Sequence, residues 1–289
     1  MMVYDNFDHI MDRARLTITL KKDLLPLVDG VIDGTRIRNR SHAIEYLLSQ
    51  SLRPRTNKAL ILAAGRGVNM RPFTYEIPKT LIPVQGKPIL EYSIEMLRDA
   101  GFTDLYIMVG HLGDKIVAHF GDGSRFGVKI TYMKERKELG TGAALRQAEQ
   151  YLQRSPFLML YGDVLIDISI KDFVEFHRTH GGTATMAITS SDKPYEFGVV
   201  RLHGNKIVKF TEKPEQGKRM GHFVNAGLFF LNPEIFKYTP RSGYSMLEKD
   251  VFPKLVTEGK LIGYPFEGAW FDVGTPEIYE EALRDWKKA

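Results

Sequence analysis

Cysteine is missing from all 289 residues, so disulfides and thiolate-held metals are excluded and the chain says nothing of its redox compartment. No apolar run reaches the roughly 18 residues of a membrane span, so no partnership with a membrane is expected. Asp5, Asp8, Asp12 and Arg13 interrupt the N-terminal stretch, so it does not read as a secretory leader, and a cytoplasmic location is the expectation. No internal repeat is visible. The Walker pattern is absent because no Gly-Lys-Ser/Thr closes a glycine loop, and the six-residue dinucleotide fingerprint is not met either.

What remains is an ordinary globular composition, 43% hydrophobic and 26% charged, with a net charge of +5. The charge is unevenly spread. Between Arg13 and Lys58 stand ten basic and four acidic residues, an excess larger than that of the whole chain. An anionic partner for this segment is one reading and a solvated basic extension is the other.

Residues 14–52 read as a small unit. Arg15-Leu16-Thr17-Ile18-Thr19-Leu20 alternates like a strand with one buried face. A helix is expected from about Asp23 to Asp33, with Pro26 in its first turn and Gly34 after its end. A second helix is expected to start at Ser41 as N-cap and to bury Ile44, Leu47, Leu48 and Leu52. Such a unit is too small to bury a core alone. It resembles the ribbon-helix-helix DNA-binding domains, through LTITL, the helix spacing and Arg40-Ser41. The resemblance implies a dimer whose paired strands enter the major groove. Arg15, Thr17 and Thr19 would then face bases, while Arg40 and Ser41 would hold phosphates. A pure dimerisation module and an unrelated cap remain open.

Beyond a linker at Arg53–Lys58, strands and helices alternate. The expectation for 58–289 is a Rossmann-like α/β domain, with a mixed, mostly parallel sheet, helices on both faces and an antiparallel lobe after about residue 183. The division expected is therefore 1–57 and 58–289.

The apolar run Ala59–Leu62 leads into Leu62-Ala63-Ala64-Gly65-Arg66-Gly67. Small residues and glycines let such a turn present its N–H groups to an anion, and Arg71 and Lys79 add positive charge downstream. Asp163 follows the apolar strand Phe157–Tyr161, at the edge where open α/β sheets bind ligands. Asp272 sits at another strand-to-turn position. Two carboxylates plus phosphate oxygens suit Mg²⁺.

The run LAAGRGVNMRPFTYEIPKTLIPVQGKPILEY, with LGTGAAL, YGDV, EKP, VNAGLFFL and WFDVGTPE in order, resembles the sugar-1-phosphate nucleotidyltransferases. The resemblance implies a nucleoside triphosphate and a sugar 1-phosphate as reactants. It implies Mg²⁺ held by Asp163 and Asp272, and Lys79 on the triphosphate. Glu212 would lie on sugar hydroxyls, Lys213 on the sugar phosphate and Asn225 on the sugar. Gly140-Thr141-Gly142 would line the base pocket and Leu62, Ala63, Ala64, Gly65 and Gly67 the nucleotide. The mannose-1-phosphate guanylyltransferases are the nearest in pattern, so GTP and a mannose-like sugar are favoured, with UTP and dTTP open.

One departure stands out. Asn69 occupies the place of a phosphate-binding arginine in most of that family. Either Arg71 takes over its role, or turnover is impaired and the domain senses a ligand for a DNA-binding regulator.

Overall fold

The computed structural model describes residues 17–35, 37–52, 56–135, 137–216 and 221–287. The chain divides into two compact units, Met1–Pro54 and Arg55–Ala289.

In the first unit a 3-10 turn, Lys22–Leu24, runs into the short helix Leu25–Asp29. Pro26 sits in its first turn, where the missing N–H has no intrahelical partner to lose. This helix stops well before Asp33. That carboxylate accepts the backbone N–H groups of Thr35 and Ile37, at 2.8 and 2.9 Å, and turns the chain instead. The second helix, Arg40–Leu52, is capped by Asn39 rather than Ser41. The Asn39 Oδ1 accepts from His42 N at 3.0 Å, so Ser41 lies inside the first turn. Val28 and Ala43 are buried, Ile44 and Leu47 half-buried, and Leu48 exposed against expectation. The side chain of Leu52 lies outside the described residues. Thr17–Leu20 join no ladder among the described residues, and Arg15 and Leu16 lie outside them. Of the expected ribbon, helix and helix, only the two helices are present in the described chain.

Among its described residues the second unit holds thirteen strands. They are β1 (Lys58–Ala63), β2 (Pro83–Val84), β3 (Lys87–Pro88), β4 (Asp104–Val109), β5 (Lys129–Lys134), β6 (Phe157–Tyr161) and β7 (Val164–Ile166). After these come β8 (Ala184–Ser190), β9 (Gly198–His203), β10 (Lys206–Glu212), β11 (Phe223–Leu231), β12 (Leu261–Pro265) and β13 (Trp270–Asp272). Nine of them form one sheet in the order β5-β4-β1-β6-β11-β8-β12-β10-β9. The half β5-β4-β1-β6 is parallel. Beyond β6 the pairing turns antiparallel through β11, with β8 and β12 again parallel. The expected antiparallel lobe is thus a continuation of the same sheet, which is more mixed than expected.

β1 explains itself. Ala59, Ile61 and Ala63 pack into the core on one face, with Leu97, Phe120 and Phe173. Leu60 packs on the other, with Leu145, Phe252 and Leu255. A strand covered on both faces must be apolar throughout, hence the unbroken run in the sequence. Its register sets Leu62 beside Met108 of β4 and Tyr161 of β6. The turns that leave β1 and β6 therefore open at the same sheet edge. No described helix is long and apolar enough to cross a membrane.

Candidate active site

The glycine turn that leaves β1 is fastened from below. Gly67 has φ +61°, and a Cβ there would sit 2.7 Å from Thr74 Cγ2. The Thr74 hydroxyl donates to the Gly67 carbonyl at 2.7 Å. Glycine is thus required both for the left-handed backbone and for the close approach. The same fastening carries the chain on to Lys79, which opens a 3-10 turn beneath the loop.

Asp163 leaves β6 beside that turn, and β7 follows it at once. β7 pairs antiparallel with β13, setting Asp272 opposite Val164. The ammonium of Lys79 forms an ion pair with Asp163. Burial pushes the Asp272 carboxyl up to about 7, and the negative charge of Asp163 adds to this, while Lys79 and Lys213 pull the other way. Burial alone would favour a neutral Lys79, but the charges of Asp163 and Asp272 and the hydrogen bond to Asp163 raise its pKa. Two acidic side chains 109 positions apart in the chain thus meet around one lysine.

A cavity of about 290 Å³ opens here, lined by Leu62, Ala64, Gly65, Gly140, Thr141, Tyr161, Asp163 and Asp272 among others. Ala63, the last residue of β1, is buried beneath it. Gly140 precedes the helix Thr141–Gln147, with φ +87°, and a Cβ on it would lie 2.4 Å from the Ser245 carbonyl oxygen. A smaller cavity of about 80 Å³ adjoins, also bounded by Tyr161 and Asp272. Glu212, Lys213 and Asn225 line it together with Glu196, Glu248 and Trp270. Asn225 is buried, and its Oδ1 accepts from Gly227 N at 3.0 Å. Glu212 lies where burial, with the negative charge of Glu248 beside it, raises its pKa.

Arg71 does not join this group. Its guanidinium lies over the Tyr75 ring, 5.0 Å from the centroid. It lines a neighbouring cavity of about 350 Å³ with Arg66, His111 and Lys137. The two larger cavities share Ala64, Glu135 and Glu138, and Arg71 lines the one that the carboxylates do not. Arg66 is paired with Glu138 at 2.8 Å. In the N-terminal unit Arg40 is engaged by Asp29 through two hydrogen bonds of 2.7 and 2.8 Å, whereas Thr17, Thr19 and Ser41 are exposed.

Among the described residues, no group of three or more His, Asp or Glu side chains could hold a metal. Asp163 and Asp272 are a two-carboxylate set with mutual repulsion and no soft donors. That chemistry fits Mg²⁺, which keeps water and phosphate oxygens in its remaining positions.

Glu248, Glu196 and Tyr161 were not foreseen. Glu248 is buried on a π-helical segment, Leu247–Val251, and accepts hydrogen bonds from the Tyr161 and Thr141 hydroxyls. An acidic residue recurring beside Leu247 and Val251, in a stretch otherwise of core spacing, was the available signal.

A glycine turn at the strand edge, two converging carboxylates and a largely shielded lysine together mark the candidate site of an α/β enzyme fold. The sequence profile of the nucleotidyl transferase family matches residues 58–289, and the chain belongs to that family. A Candida glabrata protein named mannose-1-phosphate guanyltransferase 2 is 37% identical over 229 residues, covering 77% of this chain and 62% of the relative. A Synechocystis protein named UTP–glucose-1-phosphate uridylyltransferase is 37% identical over 246 residues, covering 78% of this chain and 62% of the relative. The chain spans about three fifths of the length of these curated relatives. A Bacillus anthracis crystal structure, provisionally described as a glucose-1-phosphate thymidylyltransferase in complex with sucrose, superposes with a TM-score of 0.73. It is 28% identical, and the match covers 80% of this chain and 97% of that one.

Proposed function

We propose that the chain transfers a nucleotidyl group from a nucleoside triphosphate to a sugar 1-phosphate. An oxygen of the sugar phosphate attacks the α-phosphorus, the bond to the bridging α,β-oxygen breaks, and pyrophosphate leaves with that electron pair. The observation that carries this reading is the convergence of Asp163 and Asp272 on the cavity beside the glycine turn, with Lys79 ion-paired to Asp163.

Both reactants are polyanions, so the barrier is largely repulsion and alignment, and positioned cations lower it. Leu62, Ala63, Ala64, Gly65 and Gly67 shape the floor on which the triphosphate lies. Lys79 supplies a fixed ammonium to the phosphates, and Lys213 a second one on the sugar side. Glu212 and Asn225 orient the sugar, and Gly140, Thr141 and Gly142 wall the base. Asp163 and Asp272 would hold Mg²⁺. The ion, when bound, neutralises charge on the reacting phosphates. Arg71 serves the outer phosphates from its own cavity, in place of the arginine that Asn69 displaces.

Relatives named for guanylyl and for uridylyl transfer are equally similar, and the pattern of the sequence favours GTP and a mannose-like sugar. Pyrophosphate release, measured over GTP, UTP, dTTP and ATP against several hexose 1-phosphates with MgCl₂, tests the reading. The fastest release is expected with GTP and mannose 1-phosphate. Silence in every combination overturns the transferase reading in favour of a ligand-sensing domain.

For the N-terminal unit we propose self-association and DNA binding. Ile18, Leu24, Leu27 and Leu48 are 41–66% exposed and give this unit an apolar surface. A second copy would cover it. The mass in solution, with and without residues 1–52, tests the pairing. Duplex binding across a salt series separates sequence-specific contact from simple attraction to a basic arm.

A further inference from the structure

Resting on the transferase reading, we infer that Glu248 is a positioning residue: it locks the loop that walls the nucleotide to the wall of the sugar-side cavity. The link is built from both ends of one carboxylate. One oxygen accepts the Thr141 hydroxyl at 2.8 Å, and the other accepts the hydroxyl of Tyr161. Thr141 lines the larger cavity, Glu248 the smaller, and Tyr161 both.

Thr141 has no freedom to turn away. Its oxygen accepts the backbone N–H of Leu247 at 2.9 Å, so its own hydrogen is committed to Glu248. The backbone on either side repeats the fastening. The Ser245 carbonyl accepts from Gly142 N and Ala143 N, at 2.9 and 3.2 Å, and Ser245 N donates to Leu139 O at 2.8 Å. Asp250 in turn accepts from Met246 N at 2.7 Å, which holds the strip 245–248 in its own shape. The strip thus caps the helix Thr141–Gln147 from outside its own chain segment, and the one buried carboxylate in it joins that helix to β6.

A glutamate is suited to this because both of its neighbours are donors. A glutamine offers one acceptor oxygen instead of two and turns an N–H toward a hydroxyl hydrogen. A lost hydrogen bond to a charged acceptor corresponds to roughly ten- to a hundredfold in an equilibrium constant.

The test uses the full chain, with E248Q, T141V, T141S and the T141V/E248Q double variant. Dissociation constants for GTP, UTP and dTTP are read by titration calorimetry, and KM and kcat by pyrophosphate release. E248Q and T141V are each expected to weaken nucleotide binding roughly tenfold or more and to raise KM more than they lower kcat. T141S, which keeps the hydroxyl, is expected to lose less binding than T141V. The double variant is expected to lose clearly less than the product of the two single losses, since both break the Thr141–Glu248 link. Thermal unfolding of each variant sets aside general loss of structure. Native binding by folded E248Q, or a double variant whose loss is the product of the two single losses, overturns the inference while leaving the transferase reading intact. A native chain that binds none of these nucleotides and releases no pyrophosphate overturns both.

Discussion

The backbone N–H of Val273 donates to the carbonyl oxygen of Asp163 at 3.0 Å, which carries the β7–β13 pairing on to the end of β6. It holds the two aspartates at the mouth of one cavity. Replacing either with asparagine keeps the shape and removes one charge. Asp163→Asn and Asp272→Asn are each expected to lower kcat by about a hundredfold or more. The Asp272 variant is also expected to hold its melting temperature or raise it, because a buried carboxyl that repels its neighbour has been removed. Turnover within a few fold of native in both variants would exclude the pair from the reaction.

Lys79 is the only amine in an ion pair with Asp163 among the described residues, and the pair is largely shielded, its side chains 16% and 22% exposed. Lys79→Met leaves two carboxylates facing each other without their internal counter-charge. The metal-free protein is expected to lose about 2–4 kcal/mol of stability, and Mg²⁺ should restore part of it by binding the folded state. Denaturant unfolding with and without MgCl₂ measures both. A variant as stable as native without metal would show that the lysine does not balance the pair.

How far the sequence was legible follows from which elements act locally. β1, β4 and β6 are runs covered on both faces, and their apolar monotony announces them. The glycine turn and Lys79 lie within twenty residues and could be read together. β7 and β13 could not be read as a pair. They are three residues each, and what defines them is their mutual ladder rather than any pattern within either. The helices Ile170–His180 and Pro276–Asp285 were passed over, although Ser169 and Thr275 cap them with side-chain oxygens on Asp172 N and Ile278 N. Glu248 escaped because its partners stand 87 and 107 positions away. Arg71 was expected to stand in for the arginine that Asn69 replaces, and what no local pattern could show is that its guanidinium lies over Tyr75 and lines a neighbouring cavity.

Two glycines with positive φ differ in what a side chain there would meet. Gly204 has φ +56° with nothing within 4 Å of a new Cβ, so Gly204→Ala is expected to cost about 1 kcal/mol. Gly140→Ala adds a clash with the Ser245 carbonyl oxygen to a backbone, φ +87° and ψ 168°, that is itself nearly confined to glycine, and should cost roughly 2–4 kcal/mol. It should also displace Thr141 and raise the KM for the nucleotide. Paired denaturation curves and KM values decide the matter. Equal costs at the two positions would mean that the loop can move off the strip at little expense.

His177 is buried beneath the sheet, its Nδ1 2.7 Å from the Thr185 hydroxyl and its ring edge-on to Phe230. Burial pushes its pKa from 6.5 down to about 4, with the charge of Arg178 adding to the effect and a hydrogen bond with Asn232 opposing it. The sign follows directly. Between these two values the unfolded chain takes up a proton that the folded chain refuses, so stability rises with pH across the interval. The contribution is complete above pH 6.5 and is lost as the pH falls from 6.5 through 4, amounting to a few kcal/mol in all. Unfolding free energies measured at pH 7, 6 and 5 should fall stepwise in the native chain and less steeply in His177→Gln. The ring resonances of His177 should stay those of the neutral imidazole down to about pH 5, since half-protonation lies near 4. A ring that titrates near 6.5 in the folded protein would mean that water reaches this site and that the pH slope arises elsewhere.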